Sequence, residues 1–353
     1  MSILHSLPSI VEQAQKLRAS DIHLVAGIPI RLRIDGRLVN FDENPLTAED
    51  CESYARELSP NYEPIQYIGE QDIATSFPCG TRVRANLFRQ QGSVSCAIRI
   101  LNDHIPTLDE LGLPAEMKKF TDFKQGIVLI TGETGAGKST TLATILNKIN
   151  HEQCKHIITL EDPIEYIYHP DKCIINQREV GQDTRSFADG LRSILREDPD
   201  VILIGEMRDI VTIETALIAA ETGHLVFATL HTNSAADTID RIVEVFPAAQ
   251  QNQIRIQLSM CLQAVVSQQL LPHASGRGRV IATELMVCNG AIRNLIREGK
   301  TPQISNAIAT SGDIGNHLMD SSLIALYKQR KITREMAVRC AHDREYVRRA
   351  TVY

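Results

Sequence analysis

The chain has 353 residues, 43% of them apolar and none tryptophan, which is too long for one ordinary domain and enough for two cores. Its formal net charge of -6 argues against binding nucleic acid or an anionic membrane through overall charge, leaving only a local basic groove for such contacts. The eight cysteines are scattered singly with no C-x-x-C pair, so a disulfide framework or zinc ribbon has little support and reduced thiols are expected.

The first residues, Met1 to Pro8, show no basic segment ahead of a secretory apolar core, and no run approaches the roughly 18 apolar residues of a membrane span. The expectation is a cytoplasmic protein with no transmembrane segment of its own, peripheral at a membrane only through partners. Ile3, Leu4, Leu7, Ile10, Val11, Ala14 and Leu17 repeat with helical spacing over residues 2–18. Strand-like pieces follow at 22–25 and 30–34, with Asp35-Gly36 as a hairpin turn into 37–39, and again at 82–88 and 93–100. These predict a small α+β domain over 1–101. Pro106, Gly112 and Pro114 mark 102–118 as a linker.

From residue 119 the pattern changes. Apolar strands at 126–131, 156–160, 201–204 and 225–230 alternate with helical stretches near 138–150, 186–197 and 210–222. Such alternation predicts an α/β domain with a mainly parallel sheet covered by helices on both faces. One remaining strand is read near 279–287, and only helices over about 289–353. The second domain is therefore 119–353.

Directly after the first of these strands stands Gly132-Glu133-Thr134-Gly135-Ala136-Gly137-Lys138-Ser139, followed by Thr140. G-x-x-x-x-G-K-S between a strand and a helix is the context of a phosphate-binding loop. Its glycines let backbone N–H groups turn toward a di- or triphosphate, and the helix adds its positive N-terminal end. Lys138 can neutralise the β- and γ-phosphates, and the Ser139 hydroxyl can ligate Mg²⁺.

Ligands of such sheets lie beyond the carboxyl ends of the strands. There the strand 156–160 runs into Glu161-Asp162-Pro163-Ile164-Glu165, and Glu165 is the candidate general base for water. A solvated acidic turn is the plainer account of the same residues. The strand 201–204 delivers Glu206, which suits contact with Mg²⁺ through water, whereas Asp209 reads as the cap of the next helix. His231, at the end of the strand 225–230, is either a hydrogen-bonded structural histidine or a sensor of the γ-phosphate. His224 lies at the opposite end of that strand.

The phosphate loop, the acidic box 160–165, the run Asp198 to Asp209 and the histidine box Glu221 to Thr232 together resemble the type II/IV secretion ATPase superfamily, which drives type II secretion and type IV pili. Within it, Ala19-Ser20-Asp21-Ile22-His23-Leu24 and Ala291-Ile292-Arg293-Asn294-Leu295-Ile296-Arg297-Glu298 are similar to the signatures of PilT-type pilus-retraction ATPases. Read physically, 291–298 is an amphipathic helix, with Arg293 and Arg297 four residues apart. The absent C-x-x-C pairs also separate the chain from extension and type II secretion ATPases, which usually carry a tetracysteine insertion. Two departures are plain. Glu133 and Ala136 stand where the family usually has Pro and Ser, and Phe77-Pro78-Cys79-Gly80-Thr81 lacks the commoner Gly-Arg-Phe turn.

The resemblance implies a PAS-like N-terminal domain, a RecA-like P-loop ATPase domain and a homohexamer. It also implies that arginines of the N-terminal domain complete the site, with Arg84 and Arg99 at the matching positions; an arginine on an exposed strand face is equally commonplace. The implied activity is ATP hydrolysis with Mg²⁺, powering retraction of a type IV pilus through an inner-membrane platform protein, with other pilus ATPases as further partners and no nucleic acid. Two alternatives stand: a related secretion or conjugation ATPase of a type II or IVb transport system, or a regulatory nucleotide-binding accessory subunit.

Overall fold

A computed structural model of the chain describes residues 5–352 other than 35, 60, 61, 63, 64, 66, 102 and 103. The opening residues of the 2–18 helical pattern, Asp35 of the hairpin turn, and 102–103 of the linker lie outside the described residues. By internal contacts the chain divides into two units, Met1–His104 and Ile105–Tyr353.

The N-terminal unit is built on a six-stranded antiparallel sheet. Its strands are β1 (Asp21–Leu24), β2 (Pro29–Ile34), β3 (Arg37–Pro45), β4 (Glu70–Ser76), β5 (Arg82–Gln90) and β6 (Ser93–Ile100), in the order β3-β2-β1-β6-β5-β4. Alternation drives one face inward: Ile22, Leu24, Leu32, Val83, Leu87 and Ile98 are buried with Leu7, Ile10 and Val11 of the Leu7–Lys16 helix. The other face carries polar residues in register, with Asp21 opposite both Arg33 and Arg99, and Arg99 opposite Arg84. The sequence reading missed β4 and the Ala48–Leu58 helix. That helix is rich in Glu and Asp, but it buries Cys51, Tyr54, Ala55 and Leu58 and starts at a capping box between Thr47 and Asp50.

The C-terminal unit holds a seven-stranded sheet. In chain order its strands are β7 (Gly126–Thr131), β8 (His156–Glu161), β9 (Ile174–Glu179), β10 (Val201–Ile204), β11 (Leu225–Leu230), β12 (Leu262–Pro272) and β13 (Arg279–Val287). Their order is β13-β12-β7-β11-β10-β8-β9, parallel throughout except for the antiparallel β12–β13 pair. Every residue of β7, β10 and β11 is buried, which is why these strands read as uninterrupted apolar runs. On one face Ile127, Leu129, Ile202 and Val226 pack with the helices Phe187–Ile194, Ile210–Glu221, Ala235–Glu244 and Ala248–Cys261. On the other, Val128, Ile130 and Phe227 pack with Leu142, Ile145 and Ile149 of the Lys138–Glu152 helix and with Met117 and Phe120.

This is the expected α/β architecture, a mainly parallel sheet with helices on both faces preceded by a small α+β unit. One expectation needs correcting. The strand near 279–287 is not the only one remaining, because β9 and β12 also belong to the sheet. β9 is a polar edge strand, and β12 follows the Ala248–Cys261 helix with no intervening turn residue to announce it. Beyond residue 289 the described elements are helices, and no described helix is long and apolar enough to cross a membrane.

Candidate functional site

The carboxyl ends of β8, β10, β11 and β7 lie side by side, with Leu160 opposite Ile204, Ile204 opposite Ala228, and Leu230 opposite Thr131. A cavity of about 470 Å³ opens beyond them, lined by Lys138, Ser139, Glu165, Glu206, Arg208 and His231 among others. The loop 132–137 reaches it because two glycines permit its path. Gly132 has φ +142°, and a Cβ there would run into the Gln268 carbonyl. Gly137, at φ 88°, is the left-handed N-cap of the Lys138–Glu152 helix. The first turn of that helix therefore aims free N–H groups and its positive dipole end at the cavity. Thr134, Gly135, Gly137 and Thr140 also line it, whereas Gly132, Glu133 and Ala136 do not. Ala136 is buried and its carbonyl accepts from Gln268 Nε2 at 2.7 Å.

Lys138 sits at the centre of a chain of polar contacts. Its Nζ donates to the Gly132 carbonyl (2.7 Å) and the Glu133 carbonyl (3.1 Å), and lies 3.4 Å from His231 Nδ1. His231 Nε2 is 3.0 Å from Glu206 Oε1, and Arg208 Nε is 2.7 Å from the same oxygen. With Nδ1 accepting from the ammonium, the imidazole proton belongs on Nε2 and is donated to Glu206. Burial lowers the pKa of Lys138, offset in part by the charges of Glu206 and Glu165. Burial also works to raise the Glu206 pKa, but the hydrogen bond and charge of Arg208, with His231 and Lys138, outweigh it and hold the carboxyl below its usual range.

Glu165 lies on the loop that leaves β8, with its carboxylate exposed to the cavity. The neighbouring acid Glu161 behaves differently. It is buried at the end of β8, where Thr159 Oγ1 (2.6 Å) and Gln177 Nε2 (3.3 Å) donate to its Oε1. Burial pushes its pKa up to about 7 against these hydrogen bonds and one from the Glu165 backbone N–H. The loop is held from β9 as well. Glu179 Oε2 accepts from Ile164 N at 3.0 Å, Gln177 Oε1 accepts from Tyr168 N at 3.0 Å, and Gln177 Nε2 donates to the Tyr166 carbonyl at 2.8 Å. The Tyr166 hydroxyl also meets Thr140 Oγ1 at 2.9 Å, tying this loop to the phosphate-loop helix.

A sequence model described as "Type II/IV secretion system protein" matches residues 81–353. The chain belongs to this family. It is 45% identical over 91% of its length to the Pseudomonas aeruginosa protein named "Type IV pilus retractation ATPase PilT", covering 94% of that protein. Its fold is similar to the crystal structure of the pilus retraction motor PilT with bound ADP, at a TM-score of 0.91 and 47% identity, covering 98% of this chain and 99% of that one. The Legionella pneumophila ATPase DotB is a more distant match, at a TM-score of 0.82 and 28% identity over 96% of each chain. The resemblance to PilT-type retraction ATPases is thus borne out, and the chain is a nucleotide-binding ATPase of the secretion family.

The C-terminal unit of this family member brings together Lys138, Ser139, Thr140, Glu165, Glu206 and His231. Arg84 and Arg99 belong to the N-terminal unit, where they are exposed and adjacent on β5 and β6, and Arg99 Nε pairs with Asp21 Oδ1 at 3.1 Å. His224 is not at the cavity; its Nδ1 lies 3.0 Å from the Ala219 carbonyl. Asp209 caps the Ile210–Glu221 helix, accepting from Thr212 N. In the Gly290–Arg297 helix, Arg293 donates to the Ser259 and Met260 carbonyls and to Gln263, closing the end of the Ala248–Cys261 helix.

Three side chains at the site were not singled out from the sequence. Gln268 props the loop from β12, with its Oε1 accepting from Thr141 Oγ1 at 3.0 Å as well as its Nε2 bonding Ala136. Arg208 pairs with Glu206 from within the same motif, and a cation two residues after an acid was a readable hint. Gln177 had no sequence signal, because its strand had not been read as one.

Proposed function

We propose that this chain is an ATP-hydrolysing motor that powers type IV pilus retraction. The likeness to the PilT proteins, over 91% of the chain in sequence and 98% in fold, carries this reading. In it, the backbone of 132–140 and Lys138 hold the triphosphate. Ser139, and Glu206 through water, are the residues that would hold Mg²⁺, which supplies neutralisation of phosphate charge. Glu206 fits that part because its carboxyl is held ionised beside Arg208 and His231. Glu165 takes a proton from water as the water oxygen attacks the γ-phosphorus and the bond to ADP breaks. His231, linking Lys138 to Glu206, registers whether a γ-phosphate is present. Arg84 and Arg99 stabilise the charge that develops in transfer.

The working assembly is a homohexamer at the cytoplasmic side of the inner membrane, acting on a platform protein of the pilus machine. Two experiments test this. Steady-state ATP hydrolysis by the purified chain, abolished in Glu206→Gln with ATP binding retained, supports the site assignment; normal turnover in that variant removes it. Deleting the gene separates the retraction reading from a secretion motor, the other activity that the type II/IV secretion family description suggests. Accumulated surface pili without twitching support retraction, and lost export of protein or DNA supports the other.

A further inference from the structure

We propose that Gln177 is a positioning residue for hydrolysis, fixing the backbone immediately after Glu165 so that its carboxylate faces the attacking water. The inference rests on the reading of Glu165 as general base. Within the five residues 164–168 the loop is held at Ile164 N by Glu179, and at Tyr166 O and Tyr168 N by the two ends of the Gln177 amide. Glu165 therefore lies between held atoms one residue to each side, while its own carboxylate stays exposed to the cavity. A turn carrying several acids would otherwise open toward solvent, since Asp162, Glu165 and Ile167 are exposed.

The chemistry of the amide fits the task closely. Tyr168 N–H needs an acceptor, and the Tyr166 carbonyl needs a donor; a primary amide offers both from one side chain. The second N–H of Gln177 reaches Glu161 Oε1, so the amide is also anchored to the end of β8, the strand that delivers the loop. Glutamate at this position keeps only the acceptor, and an apolar residue keeps neither. Misplacing a catalytic group by about 1 Å costs on the order of 10²-fold in rate, so the clamp acts on turnover rather than on nucleotide affinity. The hydrogen bonds of the amide go to Glu161, Tyr166 and Tyr168, none of them a residue of the phosphate loop, and the Tyr166–Thr140 bond is a separate tie.

The test uses the full-length protein and follows steady-state hydrolysis of ATP together with titration by ADP. Gln177→Met, which keeps the length and removes the amide, is expected to lower kcat by about 10- to 100-fold, the usual range for a residue that orients a functional group, with KM for ATP and Kd for ADP within about twofold. Glu165→Gln and the double variant Glu165→Gln/Gln177→Met are expected to turn over at the same residual rate, because the clamp works only through Glu165. Should Gln177→Met fail to fold, Gln177→Glu carries the same split, with kcat lowered and KM unchanged. A full-speed Gln177 variant beside a slow Glu165→Gln overturns the clamp alone, as does a further loss of rate in the double variant. Normal turnover in Glu165→Gln removes the general-base reading and this proposal with it.

Discussion

His231 Nε2 lies 3.0 Å from Glu206 Oε1, joining the end of β11 to the end of β10 across the mouth of the cavity. Because the other ring nitrogen faces Lys138, the imidazole couples the phosphate-binding lysine to the candidate metal-supporting acid. His231→Ala is expected to lower kcat by about 10- to 100-fold while changing ATP affinity little, since the loop contacts remain. A variant that loses ATP binding instead, in a nucleotide titration, would show that the ring serves the loop and not turnover.

Glu161 gives a stability signature. Its pKa in the folded chain, about 7, stands above the ordinary carboxylate value. The folded state thus holds a proton that the unfolded state releases, and the favourable contribution is complete below the unfolded pKa. It is lost as pH rises through about 7, so stability from this group declines between roughly pH 4.5 and 7 by about 3 kcal/mol. Glu161→Gln keeps an acceptor for Thr159 and cannot ionise. Urea unfolding of the C-terminal unit should show a flatter pH dependence in the variant over that window; an unchanged slope rules out the buried-acid account.

The cap at Asp209 is testable through its chemistry. Asparagine and aspartate cap helices about equally, whereas alanine loses the bond to Thr212 N at a cost of about 1 kcal/mol. Asp209→Asn should therefore unfold near the parent at neutral pH, and Asp209→Ala measurably earlier. Loss of ATP hydrolysis in Asp209→Asn with stability intact would assign this acid a catalytic part.

Gln268→Leu removes both bonds behind the phosphate loop and leaves the Ala136 carbonyl and Thr141 hydroxyl without them. Each unsatisfied buried group costs about 1–3 kcal/mol. ADP affinity is expected to fall by about tenfold or more, read by isothermal titration; unchanged affinity would falsify the view that β12 supports the loop.

The parts of the site that were legible in the sequence share a cause. Gly132, Gly137 and Lys138 have fixed spacing, and β7, β10 and β11 are buried on both faces, so glycine geometry and apolar runs both appear in the one-dimensional record. Gln268 escaped because it satisfies the Ala136 carbonyl 132 residues away, and Gln177 because it lies on a polar edge strand that has no apolar run, and nothing local marks a glutamine for either duty. Glu161 and Glu165 looked alike as letters four residues apart. Only the fold makes one a buried acid and the other an exposed carboxylate. Arg293 was read only as lying four residues from Arg297 on an amphipathic helix, yet it closes a neighbouring helix, a pairing that depends on how two helices pack.

The ammonium of Lys138, folded back on the carbonyls of Gly132 and Glu133, sets the terms on which the site fills. An arriving molecule gains this cation only by outcompeting two neutral oxygens that already hold it. Phosphate oxygens bear full charge and do so readily, whereas uncharged sugars or bases offer nothing better than what they displace. The loop is in this sense a filter, selecting for the charged end of its ligand before any contact with the rest is made.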